Sequence, residues 1–348
     1  MPVYGLAPSA YRHGGIAAPE APWPSRPVET AVVLGGGGNR GAVQVGMMRA
    51  LVEAGIHPDL FVGTSIGAIN GAAFAGLPTL EGVYLAADVW QRIAATDVFP
   101  RRRFQGAWRF LERRESVFSM DGLRRIVQSY LRFERLEEAP VPLLVIASRL
   151  DDGREEWITS GPALDAVMAS AALPGFYPVV RIGDHRYVDG GVLDNVGISA
   201  ALAVGARRIF VLLCGRVDAP APPFSRPFEA MFSAFNLALG ARVRRDLGRI
   251  PDDVDVVVIE QPGSMIFDPG DFSRTEELID QGYREARDVI ADYRRLKRYE
   301  GSRPVDRDGS GWLRRVPLVP KVPFARRARG YDPNAASRAE ERPSGSSE

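Results

Sequence analysis

The chain has 348 residues, of which 45% are hydrophobic and 25% charged, and its formal net charge at pH 7 is +1. These values are typical of a soluble globular protein, and the balanced charge gives no support for a nucleic-acid partner. The single cysteine, Cys214, excludes an intramolecular disulfide. We expect no membrane-spanning segment and no secretory signal, and therefore a cytoplasmic protein.

The first predicted elements follow a proline-rich arm over residues 1–28. Residues 30–34 form a β-branched, apolar run that predicts a strand, and four glycines follow it. Apolar residues at helical spacing predict a helix over 40–54, and the apolar run 60–62 predicts a second strand. Strand, helix, strand in this order is typical of parallel strands in an α/β sheet.

The remaining elements continue this alternation and predict one α/β domain over residues 29–299. A capping box of Ser273 and Glu276 marks the start of the last helix. Residues 300–348 are rich in Arg, Pro and Ser, and we expect a tail that is disordered at its end. Strands are predicted over 141–150, 155–159, 208–213 and 254–259, and helices over 119–131, 163–171, 198–204, 228–247 and 273–299.

A Gly-x-Ser-x-Gly sequence lies where the second predicted strand turns into a helix. The sequence Gly63-Thr64-Ser65-Ile66-Gly67 is typical of a nucleophile elbow, which exposes a serine hydroxyl on a tight bend. Glycine is expected at positions 63 and 67 for a steric reason, because a Cβ has no space where the strand and the helix approach each other. The alternative is an ordinary glycine-rich turn with a serine that caps the helix.

The glycine run after the first predicted strand has two interpretations. Gly36, Gly38 and Gly41 fit a dinucleotide-binding loop, with Asp59 about 20 residues further on. A ribose-binding acid belongs at the end of the second strand, however, and Asp59 lies at its beginning. The favoured interpretation is an oxyanion hole, because consecutive glycines before a helix expose backbone N–H groups. Adjacent parallel strands end side by side, so we expect this loop and Ser65 at one site.

The base that would activate Ser65 is predicted to be an aspartate. α/β-Hydrolases use a serine, an acid and a histidine in that chain order. This chain offers few candidates for the histidine, because it has only His13, His57 and His185. Asp189 follows a predicted strand and precedes Gly190-Gly191, which leave space for a substrate. A partly desolvated carboxylate within hydrogen-bond reach of a hydroxyl is an effective base. Asp194 is the alternative carboxylate, and we expect it to cap the next helix.

Taken together, these motifs resemble the patatin-like phospholipases in their order and spacing. The resemblance covers residues 29–299 and is carried by four segments: Gly36 to Gly41, the elbow Gly63 to Gly67, Ala169 to Pro174, and Asp189-Gly190-Gly191. It implies a three-layer α/β fold, in which helices flank a mostly parallel central sheet.

The resemblance also implies an activity and a role for each site residue. Ser65 would be the nucleophile and Asp189 the general base of a lipid acyl hydrolase. The amides of Gly36, Gly37 and Gly38 would form the oxyanion hole, with Arg40 supporting it. The chain has no cluster of His, Cys and carboxylates at ligand spacing, so neither a metal nor another cofactor is expected. The alternative is a non-catalytic lipid-binding or adaptor protein that has kept the fold.

The segment over residues 99–114 interleaves arginines with aromatic residues. One interpretation is a peripheral contact with anionic membranes, and the other is an amphipathic helix packed on the domain. The residues concerned are Arg101, Arg102, Arg103, Arg109, Arg113 and Arg114, with Phe99, Phe104, Trp108 and Phe110.

Replacement of Arg101, Arg102 and Arg103 by Glu is therefore expected to abolish binding to anionic vesicles. Each arginine near an anionic surface contributes about 1 kcal/mol, and salt screens the attraction. Co-sedimentation at low and high salt measures the effect, with hydrolysis of a short soluble ester as the unchanged control. Equal vesicle binding by the triple variant, or no binding by the wild type, would support the packed helix instead.

Overall fold

A mostly parallel β-sheet organises the residues that the computed structural model describes, which are 23–99, 116–216, 227–261 and 270–301. Side chains are described for these residues except 227–236 and 299–301. The strands are β1 (Thr30–Leu34), β2 (Leu60–Thr64), β3 (Leu143–Arg149), β4 (Arg154–Ile158), β5 (Val180–Ile182), β6 (His185–Asp189), β7 (Arg208–Leu213) and β8 (Asp255–Glu260).

Helices connect these strands. They are α1 (Ala42–Glu53), α2 (Ile66–Gly76), α3 (Leu80–Arg92), α4 (Ala95–Val98), α5 (Asp121–Tyr130), α6 (Ala163–Ser170), α7 (Ile198–Ala203), α8 (Pro227–Leu247) and α9 (Thr275–Gly301). Short 3₁₀ turns over Gly38–Gly41 and Gly190–Val192 follow β1 and β6. α9 packs closely on α1, because a Cβ at Gly46 or Gly282 would collide with the backbone of the facing helix.

The sheet is buried on both faces. Along β1, Val32 and Leu34 pack into one apolar cluster, whereas Ala31 and Val33 pack into another. Alternating side chains of a strand point to opposite faces, so the two clusters are the cores on either side of the sheet. Side chains of α1, α2 and α3 fill the first cluster, and α7 and α8 contribute to the second. The predicted three-layer α/β fold is confirmed.

The pairing of β3 explains how two distant parts of the chain meet. Along one edge of β3, the first half pairs in parallel with β2, and this pairing ends with Thr64 opposite Ile146. The second half of the same edge pairs antiparallel with β6, beginning with Asp189 opposite Ala147. β4 pairs with the other edge of β3, because it bonds to β3 residues 145–149, which already pair with β2 or β6 on the first edge. β2 and β6 therefore meet end to end along one edge of β3, and the residue after Thr64 faces Asp189.

Most predicted elements agree with the structure, and two helix starts require correction. The first helix begins at Ala42, because the preceding residues form the 3₁₀ turn. The last helix begins at Thr275, and the predicted Ser273 cap is wrong, since its hydroxyl bonds to Asp271 Oδ1 at 2.5 Å. The domain limits at 29 and 299 stay a prediction, and residues 1–22 and 302–348 lie outside the described residues.

Phe99, the first residue of the arginine-rich segment, is half-buried and packs against the apolar core. Its ring centroid lies 5.1 Å from that of Phe118 and 6.0 Å from that of Tyr177. The arginines and the other aromatic residues of this segment lie outside the described residues, so the membrane contact stays a prediction. Within the described ranges, no helix has the length and apolar character needed to span a membrane.

Candidate active site

Ser65 lies on a sharp bend between β2 and α2. Its φ of 56° is the only positive φ of a non-glycine residue in the part of the chain described. A left-handed serine is strained, and such strain persists only where the surroundings fix it. A Cβ at Gly63 would lie 2.6 Å from Ala68 Cα, and one at Gly67 would collide with the Leu34 carbonyl oxygen. The two glycines thus permit the close strand–helix contact that creates the bend.

The structure brings Ser65 and Asp189 into direct contact. The Ser65 hydroxyl donates to Asp189 Oδ2 at 2.6 Å, and the other carboxylate oxygen accepts the Gly191 N–H at 2.8 Å. Asp189 is buried, and this burial raises its pKa to about 6 although both hydrogen bonds lower it. At pH 7 the group is therefore a carboxylate that is more basic than an exposed aspartate.

The two glycines after Asp189 leave space that a side chain would fill. A Cβ at Gly190 would collide with the Ile146 carbonyl oxygen. One at Gly191 would lie 3.0 Å from Asp189 Oδ1 and 2.9 Å from Asn195 Oδ1. Glycine at these positions thus lets the chain turn back beside its own carboxylate.

Ser170 supports the elbow, and sequence reasoning gave it no role. Its hydroxyl accepts the Ser65 N–H at 2.8 Å and donates to the Ile146 carbonyl at 2.5 Å. The side chain is fully buried at the end of α6. Ser170 thereby links the strained residue to the central strand β3.

The glycine loop lies against Ser65, and its three predicted amides differ in their hydrogen bonding. A Cβ at Gly36 would lie 3.3 Å from Ser65 Cβ. The Gly36 N–H donates to the Asn195 carbonyl at 3.0 Å, so this amide already has a backbone partner, and its role in an oxyanion hole stays a prediction. In the described part of the chain, the N–H groups of Gly37 and Gly38 have no such partner, and both residues line the cavity at Ser65. These two amides are the remaining candidates.

A buried polar network holds both ends of the glycine loop. Gln44 Nε2 donates to the Gly35 carbonyl at 2.8 Å, and Asn70 Nδ2 donates to the Gly41 carbonyl at 2.9 Å. Asn70 also donates to Gln44 Oε1 at 2.9 Å and accepts from Trp90 Nε1 at 3.0 Å. Sequence reasoning missed this network, which fixes the loop through its carbonyls and leaves the amides of Gly37 and Gly38 available.

Arg40 lines the same cavity from the end of the glycine loop. Among the described residues, its buried Nε has no hydrogen-bond partner, and burial lowers the pKa of the guanidinium. Burial also raises the pKa of the neighbouring Cys214 thiol to about 12, so that thiol stays neutral at pH 7. Arginine retains its charge in proteins, and Arg40 therefore contributes positive potential beside Ser65.

The alternative polar residues have structural partners. Asp194 accepts two backbone N–H groups just before α7, at 3.1 and 2.9 Å, and lies 3.2 Å from Arg242. These N–H groups belong to Val196 and Gly197, and α7 begins without a side-chain cap, so the predicted capping role of Asp194 is wrong. Asp59 accepts two backbone N–H groups at the start of β1. His185, at the start of β6, lies 3.7 Å from the carboxylate of Asp151, which belongs to the β3–β4 turn. His13 lies outside the described residues.

A cavity of about 210 Å³ opens at Ser65 and Asp189. Polar residues of its wall, Asn39, Arg40 and Asn195, come from the glycine loop and from the loop after β6. The rest of the wall is mainly apolar and includes Ile66, Ile69, Ala73, Ala86, Val89, Trp90, Ile93, Phe99, Leu123, Ile126, Tyr130 and Tyr177. The arrangement suits an ester that carries an apolar chain.

Two curated relatives illustrate the similarity to known proteins. Lysophospholipase NTE1 of Mycosarcoma maydis is 31% identical over 55% of this chain and 10% of its own length. Patatin-like phospholipase domain-containing protein 7 of Rattus norvegicus is 30% identical over 54% of this chain and 14% of its own length. The chain thus spans only a small part of the length of these relatives.

The match to a family agrees with the position of the site. Residues 32–202 match the patatin-like phospholipase family, and this range includes the glycine loop, Ser65, Ser170, Asp189 and Asn195. Residues 32–202 of the chain therefore form a patatin-like phospholipase domain.

Proposed function

We propose that this protein is a lipid acyl hydrolase that cleaves carboxylic esters through a dyad of Ser65 and Asp189. The observation that carries the proposal is the 2.6 Å hydrogen bond from the Ser65 hydroxyl to the buried Asp189 carboxylate. The apolar cavity at this bond and the relatives named as lysophospholipases support a lipid ester as substrate.

The reaction proceeds in two steps. Ser65 Oγ attacks the ester carbonyl carbon while Asp189 accepts the hydroxyl proton. The tetrahedral intermediate collapses, the bond to the alcohol oxygen breaks, and Asp189 gives its proton to that alcohol. Water then attacks the acyl group on Ser65 with Asp189 again as base, which releases the carboxylic acid and restores the serine.

The glycine loop supplies charge stabilisation for the tetrahedral intermediate. We assign the oxyanion hole to the N–H groups of Gly37 and Gly38, with Arg40 adding positive potential. A single donor in such a hole typically lowers the barrier by about 2.7–4 kcal/mol. The network of Gln44, Asn70 and Trp90 keeps the loop in place, so little reorganisation is needed during the reaction.

Ser65→Ala and Asp189→Asn are each expected to lower esterase kcat by about 1,000-fold or more, because nucleophile and base act as a unit. Hydrolysis of a soluble chromogenic ester measures the effect, and circular dichroism checks the fold. Ser129→Ala and Asp184→Asn are matched controls at exposed positions and should retain activity. An Ser65→Ala protein with kcat within tenfold of the wild type would refute the dyad.

Ser170→Ala is expected to lower kcat about tenfold or more with little change in KM. The substitution leaves the partly buried Ser65 N–H without this partner, which costs about 1–3 kcal/mol, and releases the strained elbow. Steady-state kinetics tests this, and Ser199→Ala, which loses a hydrogen bond to Asp194 instead, is the control. Unchanged kcat in Ser170→Ala would show that the elbow holds without this contact.

The kcat/KM of a neutral ester is expected to fall as the pH drops through about 6. Asp189 acts as a base only when deprotonated, and burial raises its pKa to about 6, so protonation inactivates the enzyme below that value. A pH–rate profile between pH 4.5 and 8 tests this, with far-UV circular dichroism to confirm folded protein. Full activity at pH 4.5 would contradict the role of Asp189.

A further inference from the structure

The apolar part of the cavity follows one face of α2. Ser65, Ile69 and Ala73 line the cavity at intervals of four residues, and Ile66 joins them at the start of the helix. Residues four apart lie on the same helix face, one turn above the other. With a rise of 1.5 Å per residue, Ala73 lies about 12 Å from Ser65 along the helix axis.

The apolar part of the cavity along α2 is called the channel below. On the wall that faces α2, the hydroxyl groups of Tyr130 and Tyr177 are bonded to backbone carbonyls. Tyr130 OH donates to the Ile69 carbonyl at 3.3 Å, and Tyr177 OH donates to the Val98 carbonyl at 3.0 Å. Burial raises the pKa of both phenols, so they stay neutral. Because these hydroxyls bond to the protein, a ligand in this part of the cavity meets ring carbons and aliphatic side chains. An apolar chain fits that environment and a polar head group does not.

Ala73 lies where this channel meets Tyr130. The carbonyl that accepts the Tyr130 hydroxyl belongs to Ile69, one helical turn before Ala73. The Ala73 side chain is half-buried and lines the cavity, so its methyl group leaves space there that a larger side chain would occupy.

We propose that the acyl chain of the substrate lies along α2, with its carbonyl at Ser65, and that Ala73 determines which chain lengths are accepted. The proposal rests on the function proposed above. An extended chain advances about 1.2 Å per bond, so the acyl chain reaches Ala73 at about its tenth carbon. The preferred substrates are therefore esters of medium to long acyl chains, and a larger residue at Ala73 selects shorter ones.

The test is a series of p-nitrophenyl esters with acyl chains of 4, 8, 12 and 16 carbons. For Ala73→Phe, the ratio of kcat/KM for the 12-carbon ester to that for the 4-carbon ester should fall at least tenfold below the wild-type ratio. Ala73→Leu is a milder second variant, in case the phenylalanine disturbs folding, and should lower the same ratio. Ala291→Phe, at an exposed position on α9, is the matched control and should keep the wild-type ratio.

The outcomes separate this proposal from the one on which it rests. If the wild type hydrolyses the esters but folded Ala73→Phe and Ala73→Leu keep the wild-type ratio, the position of the acyl chain along α2 is wrong and the dyad stands. If the wild type hydrolyses no ester of any length, the proposed function itself fails. A change in the ratio for Ala291→Phe as large as for Ala73→Phe would also overturn the assignment of Ala73.

Discussion

The site depends on one edge of strand β3. β2 occupies the first half of that edge and β6 the second, so the chain directions of the two strands oppose each other and their ends meet. Ser65 and Asp189 are 124 residues apart in sequence, yet this register brings their side chains to 2.6 Å. Burial by the surrounding layers then makes the carboxylate more basic. Both the geometry of the Ser65–Asp189 pair and the basicity of its carboxylate thus follow from strand pairing within a covered sheet.

The strain of the elbow is balanced by contacts that have no chemical role in the proposed reaction. A positive φ at a serine is unfavourable, and glycines on either side plus the Ser170 hydroxyl hold it in place. The glycine loop follows the same principle, because Gln44 and Asn70 bind its carbonyls and Asn195 takes the Gly36 amide. The amides that remain available lie beside the Ser65 hydroxyl, and the proposed oxyanion stabilisation depends on such preorganised donors.

Sequence reasoning recovered the features that local patterns encode. Strand and helix periodicity gave the α/β architecture, and glycine spacing identified Ser65 and Asp189 as a pair before any geometry was known. It placed Ser170 in a recognised segment but gave it no role, because the amide that it binds is 105 residues away, and it missed Asn195, which is 159 residues from Gly36. The sequence around a single serine or asparagine does not indicate a hydrogen-bond partner that is so distant in the chain. For the same reason, only the fold shows that the Gly36 amide already donates to a carbonyl in another loop.

The central claim is that Ser65 is an activated nucleophile, and reaction with an alkyl fluorophosphonate tests it most directly. Such a reagent phosphonylates a serine only where a base and an oxyanion site activate it. Intact mass followed by peptide mapping should show one adduct per chain, on Ser65. An adduct on another residue would contradict the account. So would folded protein that stays unlabelled, which is the result expected of a non-catalytic lipid-binding protein.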